Sequence, residues 1–154
     1  MNHRLGNCAL LFVAVFTSCS PAKSESSSES KSEEYEIVNK QEISLMDFFL
    51  QEDDYLVFCH SDTCTQCKQI IGDVASFAED NIIKTYFLNV SLPDNKITLV
   101  PIDEITIGVN SINDLVYAGT PTIFEVKNGI TTSNIAGKDK CLTFLNEIRK
   151  NQIK

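Results

Sequence analysis

The sequence predicts an α/β domain, a central mixed β-sheet flanked by helices on both faces, and three observations carry that prediction. Two short runs rich in aromatic and β-branched residues, Tyr55 to Cys59 and Ile82 to Val90, read as buried strands. Between them the apolar positions Ile70, Ile71, Val74, Phe77 and Ala78 recur with helical spacing. Further on, Pro121 to Val126 and Ile130 to Ile135 flank Lys127-Asn128-Gly129, a tight hairpin turn. Strand, helix, strand, connection, hairpin and a last helix give one small sheet with helices packed against it.

Three parts succeed one another along the 154 residues. Met1 to Cys19 (1–19) reads as an export signal: His3 and Arg4 make a short polar, basic start, Ala9 to Phe16 an apolar stretch, and the small residues Thr17 and Ser18 precede Cys19. Its end resembles the lipobox of bacterial lipoproteins, in which the chain is cut before the cysteine and the cysteine is lipidated. Phe16 stands where Leu, Val or Ile is usual, so Cys19 is the expected lipidation site and ordinary cleaved secretion is the alternative. Ser20 to Glu34 (20–34) contains seven Ser, four Glu and two Lys with no aliphatic residue larger than Ala, too little apolar surface to fold, and is expected to be a disordered tether. Residues 35–154 form the folded domain. No apolar run reaches the roughly 18 residues that a helix needs to cross a bilayer, so membrane attachment is expected through the lipid alone.

Within the domain, Gln41 to Asp53 carries Ile43, Leu45, Met46, Phe48, Phe49 and Leu50, with Ser44 as N-cap and an Ile43–Phe48 staple, which predicts a first helix. The strand Tyr55 to Cys59 follows, then a helix running to about Asn81, then the strand Ile82 to Val90. Ser91 to Leu115 is the least patterned stretch: Pro93-Asp94-Asn95 marks a turn, Ile97 to Val100 a short strand, and Ile105 to Leu115 either helix or loop. After the hairpin, Ala136-Gly137 breaks the strand, and Lys140 to Ile153 is a last helix with Leu142, Leu145 and Ile148 inward.

The chemistry is concentrated where the first strand hands over to its helix. Cys64-Thr65-Gln66-Cys67 places two thiols at a helix N-terminus, whose partial positive charge and free N–H donors favour a thiolate. One helical turn brings Cys67 onto the same face and within bridging range, so Cys64 is the attacking thiol and Cys67 the resolving one. His60 and Asp62 lie in the adjoining turn. A protonated His60 would favour the Cys64 thiolate, Asp62 would oppose it or shuttle a proton, and the alternative is that both are simply solvated. Cys59, His60, Cys64 and Cys67 could also gather a metal, but alternation along the strand turns Cys59 into the core while the pair opens outward, so no metal is expected. Cys59 and Cys141 are then buried small hydrophobes or a structural bridge. A net charge of -8 excludes a nucleic-acid partner, which would need a concentrated basic surface.

Cys64-Thr65-Gln66-Cys67-Lys68 opening a helix after a strand, with Gly119-Thr120-Pro121-Thr122-Ile123-Phe124 and Lys127-Asn128-Gly129 downstream, resembles the thioredoxin-like fold across nearly all of residues 40–150. The resemblance implies a cis Pro121 beside the dithiol, a Thr120 whose backbone bonds an extended substrate chain, and exchange that needs no cofactor. Departures narrow the activity. Thr63 stands where cytosolic thioredoxins carry Trp, Thr65-Gln66 where they carry Gly-Pro, and Phe58 where they carry a buried Asp that moves protons during reduction. The missing Asp counts against a general reductase, and a Thr before the proline also occurs among disulfide isomerases. The chain is thus similar to small exported or lipoprotein-type bacterial thiol-disulfide oxidoreductases such as bacteriocin accessory proteins. Expected partners are cysteine-containing exported proteins or peptides, a membrane or extracytoplasmic redox partner, and the membrane through the lipid anchor. The competing expectation is a non-catalytic binding lipoprotein whose disulfide is structural.

Overall fold

The computed structural model describes residues 36–152; the expected export signal with its lipidation site Cys19, and the tether over 20–34, lie outside the described residues. Strand β1 (Tyr55–His60) is buried along its whole length and sits at the centre of the sheet. It leads into helix α1 (Thr65–Glu79), which returns the chain to strand β2 (Lys84–Asn89), the crossover that a parallel pair requires. Two short strands, β3 (Thr98–Leu99) and β4 (Val116–Tyr117), pair with each other in parallel beyond β2. The hairpin of β5 (Thr122–Lys127) and β6 (Ile130–Ala136) follows, and α2 (Lys138–Gln152) ends the domain. The main sheet runs β2-β1-β5-β6, with β1 antiparallel to β5 and β5 antiparallel to β6. At the hairpin, Asn128 and Gly129 both take positive φ, 51° and 74°, the geometry that twists two strands correctly through a two-residue turn.

Alternation along β1 divides the core in two. Leu56 and Phe58 face one side, with Phe87 and Ile123 from the neighbouring strands, and there α1 lays down Cys67, Ile70, Val74, Phe77 and Ala78 while α2 adds Cys141 and Leu145. These α1 positions fall three and four residues apart, the stripe that the sequence predicts. The two helices are tied at one end by Arg149, whose Nη2 lies 2.8 Å from Asp80 Oδ2 and whose guanidinium covers the Phe77 ring at 5.2 Å. Tyr55, Val57 and Cys59 face the other side with Leu88, Phe124 and Val126. Helical elements flank both faces, but they differ in kind: the long helices share one face, and the other is covered by the 3-10 turn Leu45–Asp47, Leu115 and the irregular chain around Ile97, Val109 and Ile112.

The helix predicted over Gln41 to Asp53 shrinks to that single turn. Its backbone is claimed elsewhere: Ile43 N–H donates to the Phe87 carbonyl at 2.9 Å, Phe87 N–H donates to the Gln41 carbonyl at 3.0 Å, and Leu45 N–H donates to Asn95 Oδ1 at 2.8 Å. Bonded to β2 and to a distant side chain, those groups cannot also close a helix. A helical segment at 36–40, for which the sequence pattern gives no signal, packs Val38 into the α1 face. Between Ile105 and Leu115 the chain is a loop, because Gly108 N–H and the Val109 carbonyl bond the backbone of Thr131 on β6 at 2.7 and 2.9 Å.

Candidate active site

At its last residue, His60, β1 passes into the turn Ser61-Asp62-Thr63, and Cys64 caps α1 in an extended conformation. Its N–H donates to the Ser61 carbonyl at 3.1 Å and its carbonyl accepts from Lys68 N–H at 3.2 Å, closing the first turn of the helix. In the cap position a side chain normally offers oxygen to the helix N–H groups; here Cys64 Sγ accepts from Cys67 N–H at 3.0 Å. The same donor would hold a Cys64 thiolate, since a charged acceptor strengthens the bond. The two sulfurs are joined as a disulfide with Cα atoms 5.2 Å apart. Cys64 is partly exposed while Cys67 is 2% exposed, so of the two sulfurs Cys64 is the one an incoming thiolate could reach.

The second half of the site comes from the start of β5. The Thr120–Pro121 bond is cis, and Thr120 Oγ1 lies 3.4 Å from Ser61 Oγ, which brings this loop against the turn before Cys64. Gly119, with φ at 118°, takes a conformation that a side chain would strain, and its carbonyl accepts from Thr122 Oγ1 at 2.6 Å. Thr120, Pro121 and Gln66 line a cleft of about 350 Å³ together with Val100, Pro101 and Ile102. Backbone from an irregular segment, an apolar shelf and the helix start thus meet beside the disulfide.

Asp62 and His60 are two residues apart in sequence and unlike in setting. Asp62 is exposed; its Oδ1 accepts from Asn89 Nδ2 at 2.9 Å and its N–H donates to Ser91 Oγ at 2.9 Å, latching the turn to the end of β2. His60 is buried, 9% exposed, with its ring stacked on Phe58 at a 6.0 Å centroid distance. Burial pulls its pKa below the ordinary value, with Asp62 opposing in part, so the ring is neutral at pH 7. A neutral ring supplies no positive charge to a thiolate. Its location was legible: Leu56, Phe58 and His60 share one face of β1, so extending the strand by one residue would have placed it inside.

Cys59 and Cys141 are free and buried in opposite halves of the core, which leaves them unable to bridge and keeps Cys59 away from the pair at Cys64 and Cys67. Burial raises both thiols, Cys141 to about 11, and the Cys141 Sγ lies 3.3 Å from the Ile135 carbonyl, to which it donates. The sequence pattern gives no sign of Asn95, which is 3% exposed and donates through Nδ2 to the Asn89 carbonyl at 3.1 Å, holding the strand end to which the Asp62 turn is latched.

No family model and no curated protein matches the sequence. Solved structures match the fold. The short form of thioredoxin f from spinach chloroplast aligns over 71% of this chain and 92% of its own at 16% identity with a TM-score of 0.51. The long form aligns over 77% and 93% at 20% identity with a TM-score of 0.47, and thioredoxin f2 from Chlamydomonas reinhardtii over 69% and 93% at 16% identity with a TM-score of 0.48. The mixed sheet with its packed helices is a thioredoxin fold, and it carries a Cys-x-x-Cys disulfide at the start of its first long helix.

Proposed function

We propose that this protein is a thiol-disulfide oxidoreductase that exchanges disulfides with cysteine-containing exported proteins or peptides through Cys64, with no cofactor. The observation that carries the reading is the unequal exposure of a bonded pair: an outer sulfur at a helix N-terminus beside the Thr120–Pro121 loop, and an inner sulfur sealed behind it. A client thiolate attacks Cys64, the Cys64–Cys67 bond breaks, and Cys67 leaves; a second client thiolate then attacks the client sulfur of the mixed disulfide and releases reduced Cys64. Two electrons pass from client to protein, and the reverse sequence reduces a client disulfide. Thr120 is the residue whose backbone would bond an extended client strand, since its loop adjoins the Cys64 turn.

The working place of the enzyme is read from the sequence: an export signal ending at Cys19, a lipid on that cysteine and the tether over 20–34 would hold the domain at the outer face of a bacterial membrane. There it acts as oxidase, isomerase or reductase, with a membrane or extracytoplasmic partner resetting the pair. The test is C67S, which should accumulate Cys64-linked mixed disulfides with client proteins, while C64S accumulates none. If C67S forms no covalent adducts although Cys64 still reacts with an alkylating agent, the pair is the static bridge of a non-catalytic binding module.

A further inference from the structure

Leu99 is 66% exposed and Ile102 is 52% exposed. Lone surface aliphatics are ordinary, but these two belong to the cleft beside the Thr120–Pro121 loop. Ile102 lines it with Val100 and Pro101, and Leu99 Cδ1 stands 3.8 Å from where a Cβ on Gly119 would sit. The shelf they form is held in place by its own backbone. Leu99 pairs with Tyr117 across β3 and β4, Val100 N–H donates to the Tyr117 carbonyl at 3.0 Å, and Glu104 N–H donates to the Pro101 carbonyl at 3.0 Å, closing the 3-10 turn Ile102–Glu104. The surroundings are acidic: from Ser91 to Leu115 the chain carries Asp94, Asp103, Glu104 and Asp114 against one cation, Lys96. Asp103 and Glu104 are exposed in the same turn as Ile102, and among the described residues neither lies within ion-pair distance of a Lys or Arg. Lys138, which follows the cleft residue Gly137, is already engaged by Gln69 Oε1 at 3.2 Å and Asp139 Oδ1 at 3.8 Å, and Lys68 lines a separate cavity. We propose that the segment Leu99–Glu104 selects clients whose reacting cysteine is flanked by an apolar and a basic residue, that is, cationic, apolar cysteine-containing peptide segments.

The selection rests on the exchange reading above and names its substrate class. Backbone bonds at Thr120 hold an extended client without reading its side chains, so preference has to come from the walls around them. Leu99, Pro101 and Ile102 take an apolar side chain out of water, and because the shelf is already fixed little ordering is lost when it is covered. Asp103 and Glu104 draw in a basic neighbour over a screening length of about 10 Å at 0.1 M salt and repel an acidic one. The same charge argues against other occupants. An anionic membrane surface would be repelled, and two copies with a net charge of -8 each would set the same acidic turn against itself across a two-fold interface. In the exchange step the Cys64 thiolate attacks the client sulfur, a Cys64–client bond forms, the client's own disulfide breaks, and its other sulfur leaves as a thiolate. The shelf makes and breaks no bond; it acts by holding the client in place.

The experiment uses the full chain with C8S, C19S and C67S, which leaves Cys64 as the accessible thiol, and short peptides whose single cysteine is activated as a pyridyl disulfide. Attack by Cys64 on the peptide sulfur releases pyridinethione, whose absorbance gives the rate. The peptides flank the cysteine with Leu and Lys, Ala and Lys, Leu and Glu, or Ala and Glu, and each rate is divided by that of neutral hydroxyethyl pyridyl disulfide. Lys is expected to exceed Glu about 10-fold at low salt and about twofold at 1 M, where charges are screened within roughly 3 Å. Leu should exceed Ala about fivefold, the lower end for aliphatic groups because the shelf is open on one side. D103N combined with E104Q should bring the Lys-to-Glu ratio to about one, and L99S and I102S should each reduce the Leu-to-Ala ratio toward one. Equal normalised rates for all the peptides, or ratios that persist in these variants, would overturn the selection and leave the exchange reading standing. A dimer in sedimentation that L99S dissolves would assign the shelf to a second copy and overturn it as well. Failure of Cys64 to release thione even from the neutral reagent would sink the exchange reading itself.

Discussion

Asn95 adds a side-chain tie between the 3-10 turn at Leu45 and the end of β2, and removing it has a calculable cost. Its Oδ1 accepts the Leu45 N–H at 2.8 Å and its Nδ2 donates to the Asn89 carbonyl at 3.1 Å, with the residue 3% exposed. N95A leaves both backbone groups without a partner in a place water enters poorly. At about 1–3 kcal/mol for each abandoned buried group, and toward the low end for Asn89 near the strand end, the expected loss is about 2–4 kcal/mol. For a domain of this size each kcal/mol lowers the melting temperature by roughly 4 °C, so the shift should be about 8–16 °C. N95D retains the acceptor for Leu45 but sets a buried carboxylate against the Asn89 carbonyl, so its loss at pH 7 should be at least as large as that of N95A. The assay is urea unfolding followed by far-ultraviolet circular dichroism, with a lowered midpoint at unchanged slope. A loss below about 0.5 kcal/mol for N95A, less than one ordinary hydrogen bond, would refute the claim that this amide pins the 3-10 turn to β2.

Two further outcomes follow from the buried titratable groups. The folded pKa of His60 is lowered by burial, so as pH falls through about 6.5 the unfolded chain takes up the proton first and stability should decline; a parent whose urea midpoint stays flat between about pH 7.5 and 5.5, or an H60F that declines just as much, would contradict this. Cys59 and Cys141, buried and with raised thiol pKa values, should resist iodoacetamide in the reduced folded protein at pH 8 until it unfolds, while Cys64 reacts; peptide mapping by mass spectrometry that finds either one labelled as fast as Cys64 would show that the core is open.

What the sequence made legible was local and periodic. The α1 stripe, the alternation in β1 and the Asn128-Gly129 turn each depend on neighbours a few residues away, and all three appear where the pattern puts them. The pair at Cys64 and Cys67 was legible for the same reason, since a three-residue separation at a helix start fixes its own geometry. The segment from Gln41 to Asp53 shows the limit: its apolar residues do turn inward, but Phe87 and Asn95, more than forty residues away, decide which hydrogen bonds its backbone makes. The loop from Ile105 to Leu115 is settled likewise by Thr131. His60 lies between these cases, its face readable from alternation and its unpartnered nitrogen visible only once α1 and the 36–42 segment are folded around it.

The unequal covering of the sheet also sets the order in which the molecule can come apart. On the irregular side, single ties such as those from Asn95, Thr131 and the Tyr55 hydroxyl to the Phe48 carbonyl can be released one at a time, so amides there should exchange with deuterium through small, frequent excursions. The α1 side has a continuous helical ladder interlocked with α2, and yields only when the centre of the sheet does. The sulfur pair is therefore seated on the slow half of the fold, and the faster half reaches it only through the chain of bonds from Asn95 by way of Asn89 to the Asp62 turn.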